Sequence, residues 1–275
     1  MSAKLHIKGG EQNRDRFESC HTRRYLKMAK RIGNKTIVFD KKAHIVSFGS
    51  IVGKKEHEGP LSKEFDNYIT DSFFGEKTFE QAESKLQKTA VNTALEKAGF
   101  KPCDIDCMFA GDLLNQCIGS TFGLREFGIP FVGLYGACST MTLSTIMAAT
   151  LIDTGAAHRT VAVTSSHFCS AERQYRFPLD YGSQRTPTAQ WTVTGSGSII
   201  LENEGIGPYI NAAVIGEIED LGITDNNNMG AAMAPDDVKI RPYPTNEGMV
   251  FFYTQIQYLR GFRALFNYFK PYKLH

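Results

Sequence analysis

Charge is missing from two places in this chain. No residue between Phe127 and Ile152 is charged, and no acidic residue follows Glu247. The first gap is long enough to suggest a membrane span. It carries a proline, several glycines and many Ser/Thr, however, and divides into strand, elbow and helix, so a buried core unit fits better. A strong overall charge is also missing. The balance of +2 over 275 residues gives no electrostatic footprint for nucleic acid and no bias toward acidic substrates. The amino-terminal stretch lacks the apolar core of a signal peptide, although Met1–Lys42 holds twelve Lys/Arg against four Asp/Glu. It reads as a solvated basic extension, with weak contact to anionic lipid as the alternative. Six cysteines without a leader point to a reducing compartment. Cys103 and Cys107 have no His or second Cys pair to complete a zinc set, so neither metal nor cofactor is expected. Internal repeats and low-complexity segments are absent.

What is present is an alternation of strand and helix patterns. His44 to Val52 reads as the first strand, and Gly53 to Pro60 as a polar loop holding His57. Thr78 opens a helix with Gln81 three residues on, a capping-box pattern. Phe79, Ala82, Leu86, Ala90, Ala94 and Ala98 then recur at helical spacing until Gly99 ends the helix. Ile105 to Ala110 is a strand, and Ile118 to Phe127 a short helix stopping at Gly128. Thr160 to Ser165 is the next strand. A long polar loop is expected from Cys169 to Thr188, then two late strands, Trp191 to Leu201 and Tyr209 to Ile218. This order predicts a mixed α/β sheet with helices on its faces. Sites in such sheets form at the carboxyl ends of strands, where Asp112 to Gln116, Gly136 to Ser139 and Ser165 to Arg176 converge.

The central stretch is Ile129 to Gly155. Phe131 to Tyr135 reads as a buried strand, Gly136-Ala137 as a sharp turn, and Ser139 to Asp153 as a helix stopped by Gly155. Cys138 thus falls at a strand-to-helix elbow. Free amides and the helix dipole there favour an anion and would lower a thiol pKa. A buried structural cysteine is the competing reading. His167, after a strand end, is the best base in the chain, or else a hydrogen-bonded pocket histidine.

Several blocks resemble one family closely. They are Glu58-Gly-Pro-Leu61, Ala110-Gly-Asp-Leu-Leu-Asn-Gln116, Tyr135-Gly-Ala-Cys-Ser-Thr140 and Thr164-Ser-Ser-His167. Ala171-Glu-Arg-Gln-Tyr-Arg-Phe-Pro178, Val193-Thr-Gly-Ser-Gly197 and Asp220-Leu-Gly-Ile-Thr-Asp225 complete the set, with Met229-Gly to Ala234-Pro235 also fitting. From about Arg31 to Pro235 they resemble the stage V sporulation protein AD family, thiolase-like proteins of spore-forming bacteria. More distantly, the elbow cysteine and the Gly195-Ser196-Gly197 strand are similar to β-ketoacyl synthase III and thiolases.

The resemblance implies a thiolase-like fold of two similar halves, each a five-stranded mixed sheet with helices. This chain holds the amino-terminal half, 36–235, between a basic extension, 1–35, and a divergent aromatic-basic tail, 236–275. Frameshift or truncation is the expectation for that tail, with Arg260, Arg263, Lys270 and Lys273 on a membrane-surface segment as the alternative. The resemblance further implies a homodimer joined by sheet edges and a role in late sporulation. It implies binding of dipicolinic acid and service to its uptake into the developing spore, beside other stage V sporulation membrane proteins. The implied location is cytoplasmic or peripheral at the spore inner membrane.

A dicarboxylate needs cationic and N–H donors. The Ser139 end of the helix, Cys138, Arg173 and Arg176 are the candidates for its carboxylates, and Asn115 and His167 for its ring nitrogen or an oxygen. A salt-bridged loop is the plain alternative for Arg173 and Arg176. Acyl transfer through Cys138 is a second function, for which the family's base and oxyanion donors from the other half are lacking. A non-functional fragment with an unburied apolar face is the third.

Overall fold

A computed structural model describes residues 29–175, 192–216 and 249–253. β1 (Lys30–Ile32) turns into β2 (Thr36–Val52), a strand of 17 residues. α1 (Lys54–His57), β3 (Asn67–Tyr68) and α2 (Phe79–Ala98) follow. Next come β4 (Cys107–Gly111), α3 (Ile118–Leu124), β5 (Phe131–Gly133) and α4 (Thr140–Thr154). β6 (Arg159–Ser166) leads into α5 (Phe168–Tyr175). The described chain closes with β7 (Gly195–Glu202), β8 (Tyr209–Ile215) and β9 (Met249–Tyr253).

All the described strands join one mixed sheet, ordered β5-β4-β6-β7-β2-β8-β9, with β1 and β3 pairing to β2 off that path. The first five neighbours form the expected mixed sheet, and β8 and β9 widen it beyond five strands. β4, β5 and β6 are mutually parallel, and β7 runs antiparallel to both β6 and β2. β2 therefore points the same way as β6. The carboxyl ends of β2, β4, β5 and β6 line up along one edge, the position where α/β sheets build their sites.

Period-two alternation sorts the core onto two faces. Cys107, Phe109, Ala162, Ile199 and Leu201 pack with Ile146, Ala149 and Ile152 of α4. Met108, Ala110, Val161, Val163 and Ile200 pack with Val91, Ala94 and Leu95 of α2. The expected helix signals are in place. Thr78 Oγ1 accepts from the Gln81 amide at 3.2 Å, and α2 and α4 end at Gly99 and Gly155, with φ of 69° and 76°. Those left-handed dihedrals are open to glycine at no Cβ cost.

Several boundaries differ from the sequence reading. The strand expected from His44 begins at Thr36 as β2, despite the charged run Asp40-Lys41-Lys42, and a short β1 precedes it. Its pairing with β8 shifts register between Val38 and Ala43, and the amides of Asp40 and Lys41 donate instead to Asp153 Oδ1, each at 2.8 Å. The run expected as a buried strand, Phe131 to Tyr135, is a three-residue edge strand with every residue exposed. β5 pairs only with β4, so one of its sides has no strand among the described residues. The expected loop Gly53 to Pro60 contains α1, and the one after Cys169 begins inside α5. The late strands start at Gly195 and Tyr209 and flank β2 on opposite sides rather than pairing together.

Helix α2 lies against the backbone of the sheet. A Cβ at Gly49 would stand 2.2 Å from Ala90 O and 2.7 Å from Ala94 N. Ser47 and Ser198 donate their hydroxyls to the Ala94 and Ala90 carbonyls, at 2.7 and 2.8 Å. Gly49→Ala is expected to lower unfolding free energy by about 1–3 kcal/mol, the usual range for overpacking. The measurement is a urea midpoint at unchanged slope. An unmoved midpoint would mean that α2 lifts away without cost.

Candidate functional site

The turn before α4 brings Cys138 to the strand-end edge. Residues Ala137–Ser139 make a tight helical turn, and Gly111 lets it sit close. A Cβ at Gly111 would meet Leu134 O at 2.0 Å and Thr140 Cγ2 at 2.5 Å. The left-handed dihedral falls on Ala137, φ 46°, while Gly136 has φ −138°, the reverse of the simplest reading of Gly136-Ala137. A non-glycine residue there carries local strain of about 1–3 kcal/mol. Thr140 holds the turn, its hydroxyl donating to Ala137 O at 2.6 Å and accepting from the Gly136 amide at 3.2 Å.

Cys138 is at the surface, as a site cysteine should be. Its thiol is nevertheless not activated. The protein packed around the sulfur removes water and pushes the thiol up to about 11, outweighing the hydrogen bond from its own amide. That overturns the expectation of a lowered value. The amides nearest the thiol are already engaged: Ser139 N–H donates to Gly136 O at 2.9 Å and Thr140 N–H to Ala137 O. The helix end therefore offers the sulfur less than a free terminus would. Ser139 is buried, with its hydroxyl turned inward to Gly136 O at 2.5 Å.

His167 is not placed as a base for that thiol. It is buried beyond β6 with its ring near Phe79, at 5.3 Å between centroids, on the α2 side of the sheet. Nε2 lies 2.7 Å from Ser72 O, and Nδ1 accepts from the Cys169 amide at 3.2 Å. Both nitrogens are used, which sets the tautomer with hydrogen on Nε2. Burial lowers its pKa, so the ring is neutral near pH 7.

Asn115 opens a short turn, Asn115–Cys117, at the end of β4. Gln116 and Cys117 both have positive φ, 63° and 53°. The Cys117 thiol donates to Leu134 O at 3.4 Å, tying this turn to the segment that enters the elbow. Arg173 lies on α5, on the same edge. Arg176 lies outside the described residues.

A buried polar cluster under this edge had no counterpart in the sequence reading. Glu83 and Gln87 of α2, Asp112 and Ser120 beyond β4, Ser165 of β6 and Ser170 of α5 are all removed from water. Gln87 Nε2 reaches Gly111 O, Ser120 Oγ and Ser165 Oγ at 3.1, 2.9 and 2.8 Å. Asp112 accepts from the amides of Leu114 and Ser120 and from the Ser120 hydroxyl, at 2.9, 2.7 and 2.6 Å. Burial still raises its pKa. The available signal was two polar residues one helical turn apart in the apolar stripe of α2. At the other end of the edge, Glu56 accepts from the Thr194 amide at 3.1 Å, with its pKa raised chiefly by burial. The His57 ring stacks on Tyr68 at 3.6 Å.

Comparison with known proteins places the chain in a family. The profile of the family described as Stage V sporulation protein AD matches residues 33–242. Stage V sporulation protein AD of Bacillus subtilis (strain 168) is 43% identical over 203 residues, 74% of this chain. The chain spans 60% of the length of that relative. Among solved structures, 3-oxoacyl-[acyl-carrier-protein] synthase III from Aquifex aeolicus VF5 is 16% identical, over 58% of this chain and 53% of its own, with a TM-score of 0.41. The priming β-ketosynthase of the R1128 polyketide pathway is 15% identical over 65% and 54%, with a TM-score of 0.41.

Cys138 alkylation by iodoacetamide is expected to be slow at pH 8 and to rise with pH toward a midpoint near 11. A midpoint near an ordinary thiol value of about 8.5, or below it, would mean that the elbow does activate the sulfur. The readout is the rate of adduct formation at Cys138 by peptide mass spectrometry.

Proposed function

Because the chain belongs to the stage V sporulation protein AD family, we propose that it serves sporulation by binding dipicolinic acid at the elbow edge and supporting its uptake into the developing spore. The observation that carries binding over chemistry is the state of the elbow thiol. Cys138 is accessible yet raised to about 11, and His167, the best base in the chain, has both nitrogens occupied. Acyl transfer needs a thiolate and a proton acceptor at that place. Recognition of a pyridine dicarboxylate needs neither. It needs cationic and N–H donors, a part we assign to Arg173 and Arg176. Asn115 is assigned to the ring or a carboxylate oxygen.

We assign the edge strand to a homodimer. β5 has one side without a strand partner among the described residues, its Phe131 and Val132 are exposed, and so is Tyr135 just after it. Unpaired apolar edges of this kind are liabilities unless covered. No described helix is long and apolar enough to cross a membrane. Work beside the membrane proteins of the same system is assigned to a chain that is cytoplasmic or peripheral at the spore inner membrane.

Two experiments test these assignments. In a thermal melt, saturating dipicolinate, at about 100 times Kd, stabilises by about 2.7 kcal/mol and raises Tm. Cys138→Ser is expected to keep that rise, and Arg173→Ala to lose most of it. A thioester on Cys138 after incubation with acyl-CoA, seen by mass spectrometry, would replace binding with acyl transfer. Loss of any cooperative transition would leave a non-functional fragment. For the dimer, sedimentation of wild type and Val132→Lys is expected to show a two-chain species only in the first. Equal masses would remove the edge as the interface.

A further inference from the structure

Glu83 sits in the buried stripe of α2 with no exposure to solvent, and the hydrogens around it can be counted. Its Oε1 lies 2.9 Å from Ser165 Oγ. Ser165 Oγ also lies 2.8 Å from Gln87 Nε2, which only donates, so the Ser165 hydroxyl proton is free for Glu83. Ser170 is different. Its Oγ lies 2.8 Å from Glu83 Oε2 and 3.1 Å from the His167 carbonyl oxygen. A carboxylate and a carbonyl both only accept, and one hydroxyl proton cannot serve two acceptors well. The count closes when Glu83 carries a proton on Oε2. That proton goes to Ser170 Oγ, and Ser170 gives its own to the His167 carbonyl.

The charges around Glu83 point the same way. Among the described residues, Asp112, at the end of β4, and Glu80, on the same helix, are the charged groups that bear on it, and both are acidic. α3 contributes the Ser120 hydroxyl to the cluster and β6 the Ser165 hydroxyl. His167, before α5, contributes its carbonyl and has a ring kept neutral by burial. Among the described residues no cation forms an ion pair with Glu83. A bare carboxylate there would be desolvated with two hydroxyl donors and no counter-charge among the described residues, an unfavourable state.

We infer that Glu83 is a neutral hydrogen-bond donor in the folded protein, and that its proton holds the start of α5 against α2 and the end of β6. Burial, followed by the nearby Asp112, raises its carboxyl to about 8. Glu83 is thus a positioning residue. It sets the place of the helix that carries Arg173. The clamp needs no ligand at the elbow, so it is tested without dipicolinate and can hold even where dipicolinate does not bind.

The sign of the pH effect follows from the raised value. An unfolded glutamate ionises near 4.5, whereas the folded one holds its proton to about 8. The stability conferred is fully present below the unfolded value, is lost as pH rises through the interval, and is gone above the folded value. Glu83→Gln keeps a donor and an acceptor but does not titrate. In urea unfolding of the full chain, the folding equilibrium constant of wild type relative to Glu83→Gln is expected to fall about tenfold per pH unit from about pH 5 toward pH 8, then level off. A ratio that stays constant over that range would overturn the inference. A second reading does not depend on the variant folding. In chain labelled with 13C-glutamate, on a Glu56→Gln background that removes the other glutamate raised among the described residues, the infrared C=O stretch of a protonated carboxyl is expected at pH 7 and lost by pH 10 on the wild-type Glu83 side chain, and absent in Glu56→Gln/Glu83→Gln. A spectrum of carboxylate alone at pH 7 would overturn the proposal.

Discussion

Helix α2 meets the sheet backbone to backbone, and the functional edge depends on that contact. Gly49 leaves no side chain between β2 and the Ala90–Ala94 turn of the helix. Ser47 and Ser198 fasten the same turn through its carbonyls. Helix–sheet packing is otherwise cushioned by side chains, so a contact this close fixes the helix in translation and in rotation. One consequence is that Glu83 and Gln87, further toward its amino end, face the ends of β4 and β6. Those two polar side chains are then buried together with the strand termini, and they stitch the loops there to one another.

The elbow is built from the opposite face of the sheet. α4 buries Ile146, Ala149 and Ile152 against β4, β6 and β7, and the turn before it drops into the space that Gly111 leaves. The backbone strain falls on Ala137, and the thiol emerges beyond it. A strand-to-helix turn of this shape is often read as a nucleophile's seat. Here the nearest amides bond within the turn, and the packed protein around the sulfur opposes ionisation. The same geometry that presents the thiol withholds the electrostatic help that would activate it. His167 is committed to Ser72 and Cys169 beside α2, whereas Cys138 stands at the start of α4.

Much of this was legible in the chain, for local reasons. Thr78 with Gln81, Gly99, Gly128 and Gly155 mark helix ends because capping and left-handed dihedrals are short-range properties. The mixed α/β class followed from the order of periodic segments, and the elbow at Cys138 from the uncharged run around it. The readings that failed depended on distant partners. The charged run Asp40 to Lys42 belongs to β2 because Asp153, more than a hundred residues away, accepts its amides. Phe131 to Gly133 looked buried because it is apolar, but it is exposed because it is an edge. The sequence reading of α2 passed over Glu83 and Gln87, and only the crossing of α2 over the strand ends gives them partners.

The sequence alone determined the alternation of elements, the positions of their caps, the two-faced core and the family to which the chain belongs. Each of these is written in residues within a turn or a strand of one another, or in blocks matched one by one. Tertiary structure decided the protonation of Glu83, the silence of the Cys138 thiol and the role of His167. Those depend on water removed and on hydrogen-bond partners supplied by other elements. Local sequence carries no information on how dry a side chain will be.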